Sequence, residues 1–123
     1  MILVDSSVWV DHLRRGEPRL IGLLETSQVL THPFVIGELA LASLKNRTAV
    51  LASLSELPQA GTATDGEVLD FIERNALFGL GIGYIDAHLL AATRVNAGLQ
   101  LWTRDKRLGV VADRLGLSAE QMQ

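Results

Sequence analysis

Four acidic residues fall where a fold could gather them. Asp5 closes the apolar run Met1-Ile2-Leu3-Val4 and is followed by Ser6 and Ser7. Asp105 follows the apolar run Leu99-Gln100-Leu101-Trp102 after Thr103 and Arg104. Both read as acids delivered at the carboxyl end of a strand, the edge at which open parallel sheets bind ligands. Asp86 stands in the first turn of a strong helical stretch, residues 84–96, that leads into the second of those strands. A helix crossing back to feed a parallel strand starts near that same edge. Glu38 is the only charge in the apolar 33–43 segment, with Phe34, Leu41 and Ala42 on its own helical face. Burying it without a partner or a metal would be costly, which makes it the fourth candidate ligand. Carboxylates gathered without cysteine suit a hard cation, Mg²⁺ or Mn²⁺, that keeps several waters and can hold a phosphate oxygen. Such an ion can activate water, polarise phosphorus and stabilise a leaving oxygen, the chemistry of phosphodiester cleavage.

The elements needed to position these acids alternate along the chain. After the first strand, residues 6–15 form a helix from a serine cap, with Val8, Trp9, His12 and Leu13 at helical spacing. Gly16-Glu17-Pro18 is a stop and restart before a short helix carrying Leu20, Ile21, Leu23 and Leu24. Val29-Leu30-Thr31 is a second strand, and residues 33–43 are a helix packed inside the domain. A further helix carries Val50, Leu51, Leu54 and Leu57, residues 59–62 form a short edge strand, and residues 67–75 form an acidic, exposed helix. Gly79, Gly81 and Gly83 make a flexible approach to the 84–96 helix, which Gly98 stops. Residues 106–115 close the chain as a helix. Strands alternating with helices give an α/β fold with a central parallel sheet.

The totals bound the class. A chain of 123 residues, 48% of them hydrophobic, is the size of one domain with a real core, so a single domain over residues 1–123 is expected. The absence of cysteine rules out disulfides and thiolate zinc sites and fits a reducing compartment. No basic, apolar leader opens the sequence, and charges interrupt each apolar run before it could span a bilayer, so a cytoplasmic protein without membrane contact is expected. The formal charge of -3 argues against a nucleic-acid partner only until the four acids are assigned to a cation; 10 acidic residues then remain against 11 basic ones.

Simpler readings apply to several residues. Ser6, Ser7 and His12 suggest a hydrolase triad, but no Gly-x-Ser-x-Gly elbow is present. His88, two residues beyond Asp86, lies roughly 200° around the helix from it and is a packing or surface residue. Trp9 and Trp102 belong to the core. Arg14-Arg15, Lys45 with Arg47, and Arg104 with Lys106-Arg107 are short basic clusters that either line an RNA path or are simply solvated. Arg104 and Lys106 also offer themselves as partners for Asp105. Gly79-x-Gly81-x-Gly83 imitates a dinucleotide fingerprint, but its required third glycine falls at Tyr84 or Asp86, where a carboxylate would repel a pyrophosphate.

Taken in order, Met1-Ile-Leu-Val-Asp-Ser-Ser-Val-Trp, Ile36-Gly-Glu-Leu, Tyr84-Ile-Asp-Ala-His-Leu-Leu-Ala-Ala and Leu101-Trp-Thr-Arg-Asp-Lys-Arg-Leu resemble the four motifs of PIN-domain ribonucleases, and most closely those of VapC toxins from bacterial toxin-antitoxin pairs. The resemblance runs to about Leu115 and leaves the tail after Gly116 outside it. It implies a three-layer α/β/α sandwich and an acidic Mg²⁺ or Mn²⁺ site of Asp5, Glu38, Asp86 and Asp105, with Ser7 and Thr103 as hydroxyls near a ligand or substrate phosphate. It further implies an endoribonuclease toxin acting on RNA, a cognate antitoxin that blocks the site, and assembly as a homodimer or a toxin-antitoxin hetero-oligomer. Two alternatives stand beside it: a PIN-like RNA-processing nuclease outside any such pair, and a non-catalytic partner-binding module. His32-Pro33-Phe34 and the three-glycine approach depart from the usual pattern and bear on the shape of the antitoxin groove.

Overall fold

The computed structural model describes residues 1–119, so the last four positions of the expected domain lie outside the described residues. Three short strands, β1 (Ile2–Val4), β2 (Val29–Leu30) and β3 (Gln100–Trp102), pair in parallel in the order β2-β1-β3. Ile2 faces Val29 on one side and Gln100 on the other, and Val4 pairs with Trp102. The central strand has neighbours on both edges and helices over both faces, which is why Ile2, Leu3 and Val4 are all buried. Each such aliphatic side chain contributes roughly 1.5–3 kcal/mol by leaving water.

The sheet is flanked by seven helices among the described residues: α1 (Ser6–Arg15), α2 (Pro18–Glu25), α3 (Pro33–Leu41), α4 (Arg47–Glu56), α5 (Asp65–Arg74), α6 (Tyr84–Val95) and α7 (Lys106–Arg114). Helices α1 and α2 connect β1 to β2, and α3 through α6 connect β2 to β3 in the opposite direction across β1. Right-handed crossovers send these two connections to opposite faces of the sheet, giving the expected three-layer α/β/α sandwich.

Several elements differ from the sequence-based expectation in ways that trace to neighbours. The first helix is capped by Asp5 rather than by serine, and the Asp5 side chain makes no capping bond because it is engaged elsewhere. The fifth helix starts earlier than expected, at Asp65, where Thr64 and Glu67 form a reciprocal capping box. The expected 59–62 edge strand reduces to one parallel bridge between Gln59 and Thr31. Helix α3 is not packed on every side: Val35 and Leu39 are buried, whereas Phe34 and Leu41 are exposed, Leu41 by 90%. The tail has a structural role that its composition did not announce. Leu117, Ser118 and Ala119 are buried and run beside β3, with the Leu101 amide donating to the Leu117 carbonyl at 2.7 Å and the Ala119 amide to the Leu101 carbonyl at 2.9 Å.

Candidate active site

Because β1 and β3 are parallel, the residues that follow them share one edge of the sheet. Asp5 follows β1, and Thr103, Arg104 and Asp105 follow β3. Helix α6 runs back toward the start of β3, so its first turn, with Asp86, lies at that edge too. Three of the four acids therefore stand at helix amino ends: Asp5 at the N-cap of α1, Asp105 at the N-cap of α7, and Asp86 in the first turn of α6. The partial positive charge of a helix start favours a carboxylate there.

Asp5 is buried, 5% exposed, and its Oδ2 accepts two hydroxyl bonds, from Ser7 Oγ at 2.7 Å and from Thr103 Oγ1 at 2.8 Å. The direction of both is fixed by backbone donors. The Arg104 amide donates to Ser7 Oγ at 3.0 Å and the Asp105 amide donates to Thr103 Oγ1 at 3.1 Å. Each hydroxyl thus accepts from the main chain and spends its single proton on Asp5. This gives Ser7 and Thr103 a definite place: both orient Asp5, and their 3.3 Å approach to each other needs no proton of its own.

The remaining acids repeat one arrangement. Glu38 Oε1 accepts from Ser6 Oγ at 3.0 Å, Asp86 Oδ2 from the Gly83 amide at 2.9 Å, and Asp105 Oδ1 from the Leu108 amide at 3.0 Å. In all four carboxylates, one oxygen is held by protein donors while the other accepts no hydrogen bond among the described residues. None of the four is in an ion pair among the described residues either. Gly81 helps build this geometry. Its φ of 79° turns the chain toward Gly83, and Arg107 folds so closely over it that a Cβ would lie 2.7 Å from Arg107 Nη1.

The electrostatics tie the four together. Burial pushes the Glu38 carboxyl above its ordinary value, the Ser6 hydroxyl opposes this, and the Asp5 and Asp86 charges raise it further. Burial likewise raises Asp86, the Gly83 amide opposes, and Asp5 and Asp105 add to the rise. Each acid therefore feels at least one other, and no ion pair among the described residues relieves the repulsion. An all-oxygen set with one uncommitted oxygen apiece fits a hard divalent cation. Among the described residues, no three His, Asp or Glu side chains stand so as to hold a metal ion as they are.

The other candidates separate cleanly. Arg104 does not pair with Asp105; its guanidinium reaches Asp11 at 2.7 Å and also Glu17, and lies 5.7 Å over the Trp102 ring. Arg47 donates to the Ala40 carbonyl at the end of α3. Both are thereby committed to structure, while Lys106 and Arg107 are exposed at the start of α7. A groove of about 540 Å³ beside Asp105 is walled in part by Arg19, Arg104 and Lys106. His88 is a packing residue, buried against Phe34 and Tyr84 with Nε2 3.0 Å from Asp65 Oδ1. His12 takes the Glu17 amide on Nδ1, and Ser6 and Ser7 both donate to acids, so no triad forms. Trp9 and Trp102 are core residues as expected.

Sequence reasoning missed Arg104, Asp11 and Glu17 as a unit. The only available signal was a basic residue placed between two candidate site residues.

Comparison with known proteins gives the family. The family model described as PIN domain matches residues 2–114. Ribonuclease VapC32 of Mycobacterium tuberculosis, from strains CDC 1551 / Oshkosh and ATCC 25618 / H37Rv, is 46% identical over 118 residues, covering 96% of this chain and 95% of the relative. The match spans the strand-end acids, both helix-borne acids and the groove beside them, and the chain belongs to the PIN-domain family.

Proposed function

We propose that this protein is a divalent-metal-dependent endoribonuclease and the toxin of a toxin-antitoxin pair, formed as a single domain and acting in the cytoplasm. The observation that carries the reading is the fourfold repeat at the sheet edge. Among the described residues, Asp5, Glu38, Asp86 and Asp105 each have one oxygen anchored and one uncommitted, and none is in an ion pair. The name of the relative, Ribonuclease VapC32, supports RNA as substrate.

The uncommitted oxygens of these four acids would hold Mg²⁺ or Mn²⁺, which when bound supplies Lewis acidity and a water of lowered pKa. The chain's own contribution is placement. Ser7 and Thr103 hold Asp5 in one orientation by donating to one oxygen only. Asp5 and Asp105 stand at the amino ends of α1 and α7, where the helix dipole favours a carboxylate. Lys106, on the wall of the groove beside Asp105, would contact the RNA backbone through its phosphates, a contact that positions a strand without reading its sequence.

The antitoxin reading draws on exposed apolar surface. Ile21, Phe34 and Leu41 are all exposed, and an apolar groove of about 410 Å³ runs between Trp9, Leu13, Leu24, Val50 and Leu57. A partner chain covering the groove or these exposed side chains, in a hetero-oligomer or with the toxin as a homodimer, would bury them. An arginine of that partner would complement the carboxylates and compete with the cation.

The test is incubation of antitoxin-free protein with total RNA, with and without Mg²⁺ or Mn²⁺, beside expression in a host that lacks the antitoxin. Metal-dependent cleavage with growth arrest is expected. Cleavage without arrest would move the assignment to an RNA-processing nuclease, and neither effect from soluble, folded protein would leave a binding module.

A further inference from the structure

Arg104 stands between two site residues, Thr103 and Asp105, yet its side chain leaves the site. Nη1 donates to Asp11 Oδ2 on α1, 93 residues away in sequence, and Nη2 to Glu17 at the N-cap of α2, 87 residues away. The guanidinium also lies over the Trp102 ring. Its side chain is 35% exposed, with Asp11 at 29% and Glu17 at 17%, so the cluster is partly shielded from solvent. Arg104 holds both acids below the ordinary carboxylate range, the mark of a mutually favourable arrangement. One side chain thus joins the α1 to α2 corner to the end of β3.

The main chain of the same residue enters the site. The Arg104 amide donates to Ser7 Oγ, and the next amide, that of Asp105, donates to Thr103 Oγ1. These two bonds direct both hydroxyl protons onto Asp5 Oδ2. The guanidinium therefore anchors the backbone segment on which the orientation of Asp5 depends. Holding it there also keeps a long cationic side chain away from the adjacent Asp105, where it would neutralise a ligand.

Resting on the nuclease reading above, we propose that Arg104 is a positioning residue for the acidic site: Asp11 and Glu17 grip its guanidinium so that its backbone orients Ser7, Thr103 and through them Asp5, while its charge is withheld from the carboxylates. Asp11 and Glu17 belong to the same device, although neither touches a candidate ligand. Losses at groups that orient metal ligands are typically about 10–100-fold in metal affinity or activity.

The experiment compares Arg104→Gln, Arg104→Lys, the double variant Asp11→Asn with Glu17→Gln, and the triple variant combining the double with Arg104→Gln. Three quantities are read on antitoxin-free protein: Mn²⁺ affinity by calorimetry, kcat and KM on a fluorophore-quenched single-stranded RNA of mixed sequence, and backbone amide shifts of Ser7 and Asp105 without metal. Arg104→Gln and the Asp11/Glu17 double variant are each expected to weaken Mn²⁺ binding or kcat by about 10–100-fold at nearly constant KM. Both should move the two amide resonances in the same direction. The triple variant should be no worse than Arg104→Gln, since the groups act as one unit. Arg104→Lys should recover part of the loss, a single ammonium being unable to span both acids as the guanidinium fork does. Should Arg104→Gln fail to fold, the double variant, which keeps Arg104, decides.

Wild-type Mn²⁺ affinity and unmoved amides in the double variant overturn the proposal. So does a lower KM for RNA in that variant, which would make freed Arg104 an RNA contact. A wild-type protein that neither binds Mn²⁺ nor cuts RNA would sink the nuclease reading alone, because the amide shifts still report whether the clamp sets Ser7 and Asp105.

Discussion

The two halves of the acidic site are built differently. Asp5 and Asp105 follow strands, stand at helix N-caps, and belong to a closed chain of donors in which Ser7 and Thr103 have no rotational choice left. Glu38 and Asp86 project from α3 and α6, each with a single donor as Asp105 has, but both have carboxyls pushed above their ordinary values by burial and by the other acids. In the strand-end half, Asp5 is held in place by two hydroxyls that backbone amides orient in turn. The helix half carries the strain of the cluster, and a bound cation would relieve it. Fixed ligands give a site its geometry, and strained ones make binding couple to stability.

Breaking the strand-end half should have the largest effect. Asp5→Asn is expected to abolish metal-dependent RNA cleavage while keeping the fold, since the amide oxygen can still accept from Ser7 and Thr103 but the charge is lost. Gel-resolved cleavage together with a thermal melt checks this, and retained turnover would remove Asp5 from the site. Next in size is Thr103→Val, which preserves shape and deletes the donor to Asp5. Cleavage should fall about 10–100-fold, as expected for a group that orients a ligand. An unchanged rate would show that Ser7 suffices.

Sharpening the comparison turns to the helix half. Glu38→Gln should lose cleavage yet raise the melting temperature in the absence of metal, because it removes a half-buried charge that Asp5 and Asp86 repel. Added Mn²⁺ should then stabilise the wild type more than this variant. A lower metal-free melting temperature in Glu38→Gln would mean that the Ser6 bond outweighs the repulsion.

The smallest expected effect is a pH slope. Glu38 and Asp86 have folded values above the ordinary 4.5 and 3.8, so over that interval the folded chain holds protons the unfolded chain has released. Their contribution makes metal-free stability fall as pH rises from about those values until both groups are ionised. Asp11 and Glu17, held low by Arg104, act in the opposite sense: the stability they contribute is lost as pH falls through their folded values. Comparing denaturant midpoints against pH for the wild type and Glu38→Gln should show the falling component reduced in the variant.

How much was legible in the sequence follows the same division. Asp5 and Asp105 could be found from their own neighbours, because an apolar run ending in an acid is a local pattern. Asp86 needed the direction of α6, and Glu38 stood out as the one charge in an apolar helical segment. The burial of α3 was misjudged, since an apolar helix looks buried all round until the surrounding elements are known, and here Phe34 and Leu41 face outward. The commitment of Ser7 and Thr103 to Asp5 rests on bonds spanning up to 98 residues, and the Arg104 clamp on bonds spanning 87 and 93. No local periodicity encodes such pairings. The tail escaped notice for a related reason: Leu117 and Ala119 gain their burial from β3, not from a pattern of their own.

The central claim is that both halves serve one cation, and the most direct measurement is calorimetric titration of Mn²⁺ into the antitoxin-free wild type, Asp5→Asn and Asp86→Asn at neutral pH. The account predicts binding by the wild type and a clear loss of affinity in both variants, one taken from each half. Wild-type affinity in Asp86→Asn would contradict it, leaving the helix-borne acids outside the metal site.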